Sequence, residues 1–182
     1  VDIIVHGEGE IIVANILDAY LKDKDFSKIL GIETKNFKNN RQPRIMELDD
    51  LPSPYLTDVI WELTEKNDKI DYLASWESNR GCPYPCTFCD WGSLTAQRMS
   101  MWDEDRLYKE IEWFGENKIA YVDTCDANFG ILREKDLKLA KKFSDTSLKT
   151  GFPQRVRLSW AKFSSDKIIP LAKELQRANL LR

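Results

Sequence analysis

Three strand-then-helix patterns follow one another between residues 71 and 182, and this repetition limits the folds that the chain can adopt. Apolar runs predict strands at 71–77, 119–122 and 156–160. Amphipathic stretches after them predict helices at 103–117, 134–143 and 166–178. Units of this length place successive strands parallel to one another, with the helices outside. The sequence therefore predicts an α/β fold containing the first three units of a parallel (β/α) barrel.

Each predicted helix carries apolar residues at helical spacing along one face. Asp103 is the expected N-cap of the first of them. The residues expected to face inward are Leu107, Ile111 and Phe114; Leu137 with Ala140 or Leu139; and Ile168, Ile169, Ala172 and Leu175. Because chemistry in parallel sheets gathers at the loops after the strands, we expect the functional residues on those loops.

The first 50 residues have a different pattern. An apolar strand at 1–5, the glycine turn GEGE at 7–10 and an apolar helix predict the last βα unit of an open α/β sheet, and 29–47 suits a small hairpin or an irregular segment. Pro52 and Pro54 fix the backbone and mark the best domain boundary. We expect one domain to end within 1–50, a linker and helix at 51–70, and a second domain at 71–182. A start inside a strand without Met, and a stop after a helix, predict a fragment cut on both sides.

Charge and hydropathy exclude several classes of partner. The chain has 27 Lys and Arg against 30 Asp and Glu, a net charge of −3, which offers no general hold on nucleic acid or anionic lipid. No apolar stretch approaches the ~18 residues needed to cross a bilayer. The sequence thus predicts a folded chain with no nucleic-acid or membrane partner.

Three of the four cysteines lie close together, at Cys82, Cys86 and Cys89, with the spacing CxxxCxxC. A disulfide scaffold is disfavoured because one of the three thiols would stay unpaired, so we expect a reducing compartment. Three thiolates in one loop can converge on zinc or on an iron–sulfur cluster. A structural zinc site needs a fourth ligand, for which Cys125 is available, whereas a cubane cluster on three thiolates leaves one iron open for chemistry.

CxxxCxxC with an aromatic residue before its last cysteine, placed after the first strand of a βα array, resembles the motif of radical S-adenosylmethionine (SAM) enzymes. The segments NRGCP at 79–83, CDWGS at 89–93 and DTCDANFG at 123–130 further resemble the subgroup that carries a cobalamin-binding domain. Residues 1–24 are similar to the end of that Rossmann-like cobalamin domain, and 51–55 to its connector with the barrel.

The resemblance implies that Cys82, Cys86 and Cys89 ligate a 4Fe-4S cluster whose fourth iron chelates the amino and carboxylate groups of SAM. One electron from the cluster then cleaves SAM and gives a 5′-deoxyadenosyl radical, which abstracts hydrogen from the substrate. The protein holds the reacting groups and excludes water.

Three further residues take cofactor-binding roles by the same resemblance. Phe88 would pack near the adenine of SAM, and Asp126 and Asn128 would contact its polar end groups. Without the resemblance, Asp126 and Asn128 suit a helix cap or an Asx turn equally well. Cys125 is expected to be a small buried apolar group.

In this subgroup a methyl group commonly passes from methylcobalamin to a substrate carbon, although rearrangements also occur. The resemblance implies cobalamin in the full-length protein, a small-molecule substrate, an external electron donor of the flavodoxin or ferredoxin type, and a cytoplasmic location. The chain departs from the family in lacking the upstream DxHxxG motif and in having three βα units where six are usual, so the fragment is expected to be inactive alone. The alternative function is a non-catalytic zinc- or iron–sulfur-stabilised module, or an electron-transfer protein that uses all four cysteines.

Overall fold

A computed structural model of the chain describes residues 2–22, 25–67, 69–89, 99–162 and 165–181. The chain forms two compact units, Val1–Glu47 and Leu48–Arg182. No helix in the described part of the chain is both long enough and apolar enough to cross a membrane.

The first unit contains a two-stranded antiparallel sheet and one helix. Strand β1 (Ile3–Val5) pairs with β2 (Ile32–Thr34), and α1 (Gly9–Lys22) lies between them in sequence. Ile12, Ile29 and Ile32 form the buried core of this unit.

The predicted strand, glycine turn and helix are present in the first unit, but the strand pairing differs from the expected open sheet. Among its described residues, β1 has only the antiparallel partner β2. The reason lies in the segment after α1, which folds back on itself. The side-chain amide of Asn39 donates to the carbonyl oxygens of Ser27 at 2.8 Å and Ile29 at 2.7 Å, and this holds β2 beside β1.

The second unit is built on a three-stranded parallel sheet. The strands of the second unit are β3 (Tyr72–Trp76), β4 (Asn79–Arg80), β5 (Ser100–Met101), β6 (Ile119–Thr124) and β7 (Arg155–Arg157). The parallel sheet has the order β3–β6–β7, and Val122 of β6 lies opposite Ala74 on one side and Val156 on the other. β4 and β5 form a separate antiparallel pair. The predicted α/β class with a parallel sheet is confirmed.

The helices of the second unit lie before, between and after the parallel strands in sequence. They are α2 (Val59–Leu63), α3 (Glu104–Glu116), α4 (Arg133–Thr150) and α5 (Ser165–Arg177), with a short 3₁₀ helix at Leu48–Asp50. Asp103 caps α3 as predicted, since its carboxylate accepts the N–H groups of Asp105 at 2.9 Å and Arg106 at 3.3 Å.

The predicted inward face is confirmed for α3, where Leu107, Ile111 and Phe114 are fully buried. In α4 the prediction is wrong for Leu137, which is 40% exposed, while Leu139 is fully buried. The two positions lie about 200° apart around a helix, so only one of them can face the sheet. The inward face of α4 also continues for about one turn past its predicted end, through residues that include Ser144 and Ser147. The serine side chains at these buried positions interrupt the apolar pattern from which the helix was predicted.

In α5 the inward face is partly as predicted. Leu175 is fully buried, Ile168 and Ala172 are half-buried, but Ile169 is 45% exposed. Leu171 takes the buried position instead, at 2% exposure.

Aromatic rings pack the outer side of the parallel sheet. Tyr55 meets Phe114 edge-on at 4.8 Å between ring centroids, and Trp76 meets Phe143 at 5.2 Å. The indole N–H of Trp76 donates to the buried carboxylate of Glu110 at 2.7 Å. These contacts fix the end of β3, from which the cysteine loop departs.

Candidate functional site

The cysteine loop leaves the carboxyl end of β3, and the loops after β6 and β7 leave the same edge of the sheet. Cys82 is buried, and Cys86 and Cys89 are half-buried. The N–H of Cys89 donates to the carbonyl of Cys86 at 3.2 Å, which closes a turn around the last two thiols. The three predicted ligands therefore share one short loop at the expected edge of the sheet.

Asp126, in the loop after β6, holds the start of the cysteine loop. Its side chain is almost fully buried, at 1% exposure of the residue. The carboxylate accepts the N–H of Ser78 at 2.8 Å, the hydroxyl of Ser78 at 2.6 Å and the N–H of Asn79 at 3.1 Å. Burial raises the pKa of Asp126 to about 6, although these hydrogen bonds favour the carboxylate. In this arrangement Asp126 acts on the loop that carries the thiols.

Asn128 reaches the first thiol from the same loop. Its side-chain amide donates to Cys82 Sγ at 3.1 Å, and the residue is 3% exposed. Both Asp126 and Asn128 thus contact the segment 78–82, at its start and at its first cysteine. Their proposed contacts with the end groups of SAM remain a prediction.

Lys162, in the loop after β7, was not among the predicted site residues. Its ammonium nitrogen lies 3.0 Å from Cys86 Sγ. The Cys86 sulfur raises the pKa of Lys162 above its ordinary value. The only sequence signal was position, since loops that follow adjacent parallel strands meet at one edge. The separation of 76 residues in the chain hid this contact.

Phe88 and Cys125 differ in their surroundings from the other predicted residues. The ring of Phe88 is 86% exposed, and its packing against adenine stays a prediction. Cys125 is exposed, so the expectation of a buried apolar cysteine is wrong. Strand alternation explains this, because Thr124 at the end of β6 points inward and is 6% exposed, which turns the next side chain outward. Trp91, beside the last cysteine, lies outside the described residues.

The donor set of the loop fits an iron–sulfur centre in its chemistry. Thiolates are the ligands that such clusters take, and N–H donors to the sulfurs commonly surround them. Here Cys82 and Cys86 each accept a hydrogen bond from a neighbouring loop. Within the described residues, no three His, Cys, Asp or Glu side chains converge closely enough to hold a metal ion, so the loop is not a closed ligand set in this structure.

Two charged residues at the start of α4 contact backbone groups around the cysteine loop: Lys135 is half-buried and Asp136 is fully buried. The ammonium group of Lys135 donates to the carbonyl oxygens of Ser78 at 3.3 Å and Trp102 at 2.8 Å. Burial lowers the pKa of Lys135. The fully buried Asp136 accepts the N–H of Gly130 at 2.7 Å, and burial raises its pKa to about 6. Sequence reasoning missed both residues, because charged side chains in the first turn of a helix usually face solvent.

Comparisons with known proteins point in one direction, although no family model matches the chain. It is 39% identical over 191 residues to the 2-(S-pantetheinyl)-carbapenam-3-carboxylate methyltransferase of Streptantibioticus cattleyicolor. It is 37% identical over 188 residues to the cobalamin-dependent radical SAM methyltransferase TokK of Streptomyces tokunonensis. Each alignment covers 100% of this chain and 28% of the relative, so the chain spans little more than a quarter of the length of these proteins.

Solved structures of the radical SAM methyltransferase TsrM from Kitasatospora setae share the fold. One contains tryptophan substrate and a SAM analogue, and the other contains cobalamin and a [4Fe-4S] cluster. Their TM-scores are 0.63 and 0.60, at 16% and 15% identity. Both cover 97% of this chain and about a third of the TsrM chain, at 35% and 36%.

Proposed function

We propose that the chain, which belongs to the radical SAM enzymes of the subgroup with a cobalamin-binding domain, is the cluster-binding part of a cobalamin-dependent methyltransferase. The observation that carries the proposal is the meeting of three successive βα loops at the thiols. Asn128 and Lys162 come from the loops after β6 and β7, and each donates to a different sulfur of the loop after β3.

Cys82, Cys86 and Cys89 are the proposed ligands of a 4Fe-4S cluster. When bound, the cluster supplies an electron that cleaves SAM, and cobalamin supplies a methyl group. This chain's residues orient and shield the site. Asp126 fixes Ser78 and Asn79 at the start of the loop, and the loop in turn presents the thiols.

Phe88, Asp126 and Asn128 are the residues that would bind SAM, with Phe88 packing near its adenine. The exposed ring of Phe88 leaves one face accessible to a nucleobase. Asp126 and Asn128 are buried, so they would influence SAM through the cysteine loop that they hold. Direct contact with SAM would require that loop to open.

The finer architecture is also part of the proposal. Residues 1–50 would be the C-terminal end of a Rossmann-like cobalamin-binding domain, 51–70 a linker and helix, and 71–182 the N-terminal half of a radical SAM barrel. The parallel order β3–β6–β7 supports the last assignment, since a barrel begins with neighbouring parallel strands.

The whole protein would act on a small-molecule substrate and take electrons from an external donor of the flavodoxin or ferredoxin type. A cytoplasmic location suits these thiols, because a reducing compartment keeps cysteines available for a cluster.

Anaerobic reconstitution with iron and sulfide tests this function. We expect a brown protein with about four irons per chain, whose reduced electron paramagnetic resonance spectrum changes when SAM is added. Cys86→Ala should lose the intact cluster, whereas Cys125→Ala should keep it. A colourless protein that retains one zinc would instead support the structural module.

The Cys125→Ala variant also separates the two cluster alternatives. An electron-transfer protein that uses all four cysteines would lose its cluster in this variant, and SAM would leave the spectrum of the wild-type cluster unchanged. Either result would contradict the methyltransferase proposal.

A further inference from the structure

The surroundings of Lys162 are unlike those of the other lysines in the second unit. Its ammonium nitrogen contacts Cys86 Sγ at 3.0 Å and lies 5.4 Å from the ring centroid of Tyr84 and 5.7 Å from that of Phe88. Two aromatic rings and one sulfur therefore lie beside the charge, which is otherwise exposed to solvent. Cation–π attraction of this kind restrains an otherwise flexible side chain.

No carboxylate within the described ranges lies at ion-pair distance from Lys162. Lys138 and Lys142, in contrast, pair with Glu104 and Glu112 across α3 and α4. The Cys86 sulfur is therefore the polar side-chain partner that the ammonium group of this otherwise exposed lysine contacts. The ammonium group of Lys162 is therefore placed to interact with negative charge on the Cys86 sulfur.

A cluster held by thiolates becomes more negative by one charge when it takes up an electron. A nearby cation, and an N–H donor to a ligand sulfur, stabilise the reduced form more than the oxidised form. The reduction potential of the cluster rises as a result. Partial exposure of the site weakens the effect by solvent screening without removing it.

We propose that Lys162 is a positioning residue that donates to Cys86 Sγ and raises the reduction potential of the cluster. The proposal rests on the proposed function, because it requires a cluster on Cys82, Cys86 and Cys89. Asn128 provides a neutral donor to Cys82, so the two residues donate to different sulfurs of the cysteine loop. Asn128 supplies a hydrogen bond, and Lys162 supplies a hydrogen bond together with a charge.

The test is a mediated redox titration of the reconstituted protein, followed by the electron paramagnetic resonance signal of the reduced cluster. At a fixed potential, we expect Lys162→Met to lower the ratio of reduced to oxidised cluster about threefold, which is ~28 mV for a one-electron couple, because the exposed charge is screened by solvent. Lys162→Arg should stay near the wild-type ratio, since it keeps the charge. Lys141→Met, which removes an exposed lysine of α4, is the matched control and should leave the ratio unchanged.

A wild-type ratio in Lys162→Met, or an equal loss in Lys162→Arg, would overturn the proposal. If the Met variant cannot hold a cluster, Lys162→Gln keeps an N–H donor without the charge and should show the shift. Loss of the cluster from both neutral variants would contradict the proposal, because it would show that Lys162 is needed to hold the cluster rather than to set its potential. Failure of the proposed function is distinct, because the wild-type protein would then bind no cluster, or would bind one whose spectrum SAM leaves unchanged.

Discussion

At the scale of single residues, the second unit places carboxylates where water cannot reach them. Asp136 is fully buried, and burial raises its pKa from 3.8 to about 6. The folded chain therefore binds a proton at Asp136 more tightly than the unfolded chain does. Between about pH 4 and about pH 6, a rise in pH removes this proton and lowers the free energy of unfolding.

Asp136→Asn removes this ionisation and keeps an acceptor for the N–H of Gly130. We expect the variant to gain stability relative to the wild type as the pH rises from about 4 to about 7, by about 2 kcal/mol. Urea denaturation at several pH values measures the difference. Glu134→Gln, at an exposed position of α4, is the control and should follow the wild-type pH dependence closely. A parallel course of the Asp136→Asn and wild-type curves would contradict the expected proton uptake.

The site illustrates at the same scale what sequence could and could not provide. Cys82, Cys86 and Cys89 lie close together in the sequence, so their spacing can be recognised without a structure. The partners of their sulfurs depend on which strands become neighbours, and Lys162 carries no motif of its own. Asn128 was predicted from a resemblance, but its contact with Cys82 became visible only when β6 was placed beside β3.

At the scale of elements, the loop between β6 and α4 closes against α5 at Gly130. This glycine has a φ of +100°, and a Cβ atom there would lie 2.7 Å from Ile168 Cδ1. Gly130→Ala therefore combines backbone strain with a steric clash. Because Cδ1 is the far end of a side chain that can shift, we expect a loss of about 2 kcal/mol in the free energy of unfolding, measured by urea denaturation.

Gly151→Ala is the matched control for this substitution. Gly151 follows α4 with a φ of +83°, but an added Cβ would meet no atom within 4 Å. Only the strain contributes there, so we expect a loss of about 1 kcal/mol. Equal losses in the two variants would show that Ile168 yields without penalty.

Elements were more predictable where periodicity was clean. The apolar stripe of α3 begins after a capping aspartate, and both features were identified in the sequence. In α4, Ser144, Thr146 and Ser147 are buried although they are polar, so the pattern seemed to end early. The pairing of β1 with β2 depends on the fold of the segment containing Asn39, which periodicity does not encode.

At the scale of the whole molecule, the chain has two units with separate buried cores, around Ile12 in the first and Phe114 in the second. All six tryptophans lie between residues 61 and 160 and thus in the second unit. Tryptophan fluorescence therefore reports on the second unit alone.

Ile12→Ala tests whether each core stabilises its own unit. The side chain is fully buried, so its truncation should destabilise the first unit by about 3 kcal/mol. We expect faster hydrogen exchange in β1 and β2, with an unchanged fluorescence midpoint in urea. The control is Leu139→Ala in α4, which should lower that midpoint. If Ile12→Ala lowers it equally, the two units unfold as one.

The links from Asn128 and Lys162 to the thiols also bear on the order in which the protein is made. Translation proceeds from the N-terminus, so the ribosome releases Cys82, Cys86 and Cys89 well before either donor. At that stage the three thiols of the nascent chain lack their donors from the later loops and can react with oxidants or bind other metal ions. Until the loops after β6 and β7 have been made, neither hydrogen bond to the sulfurs can form.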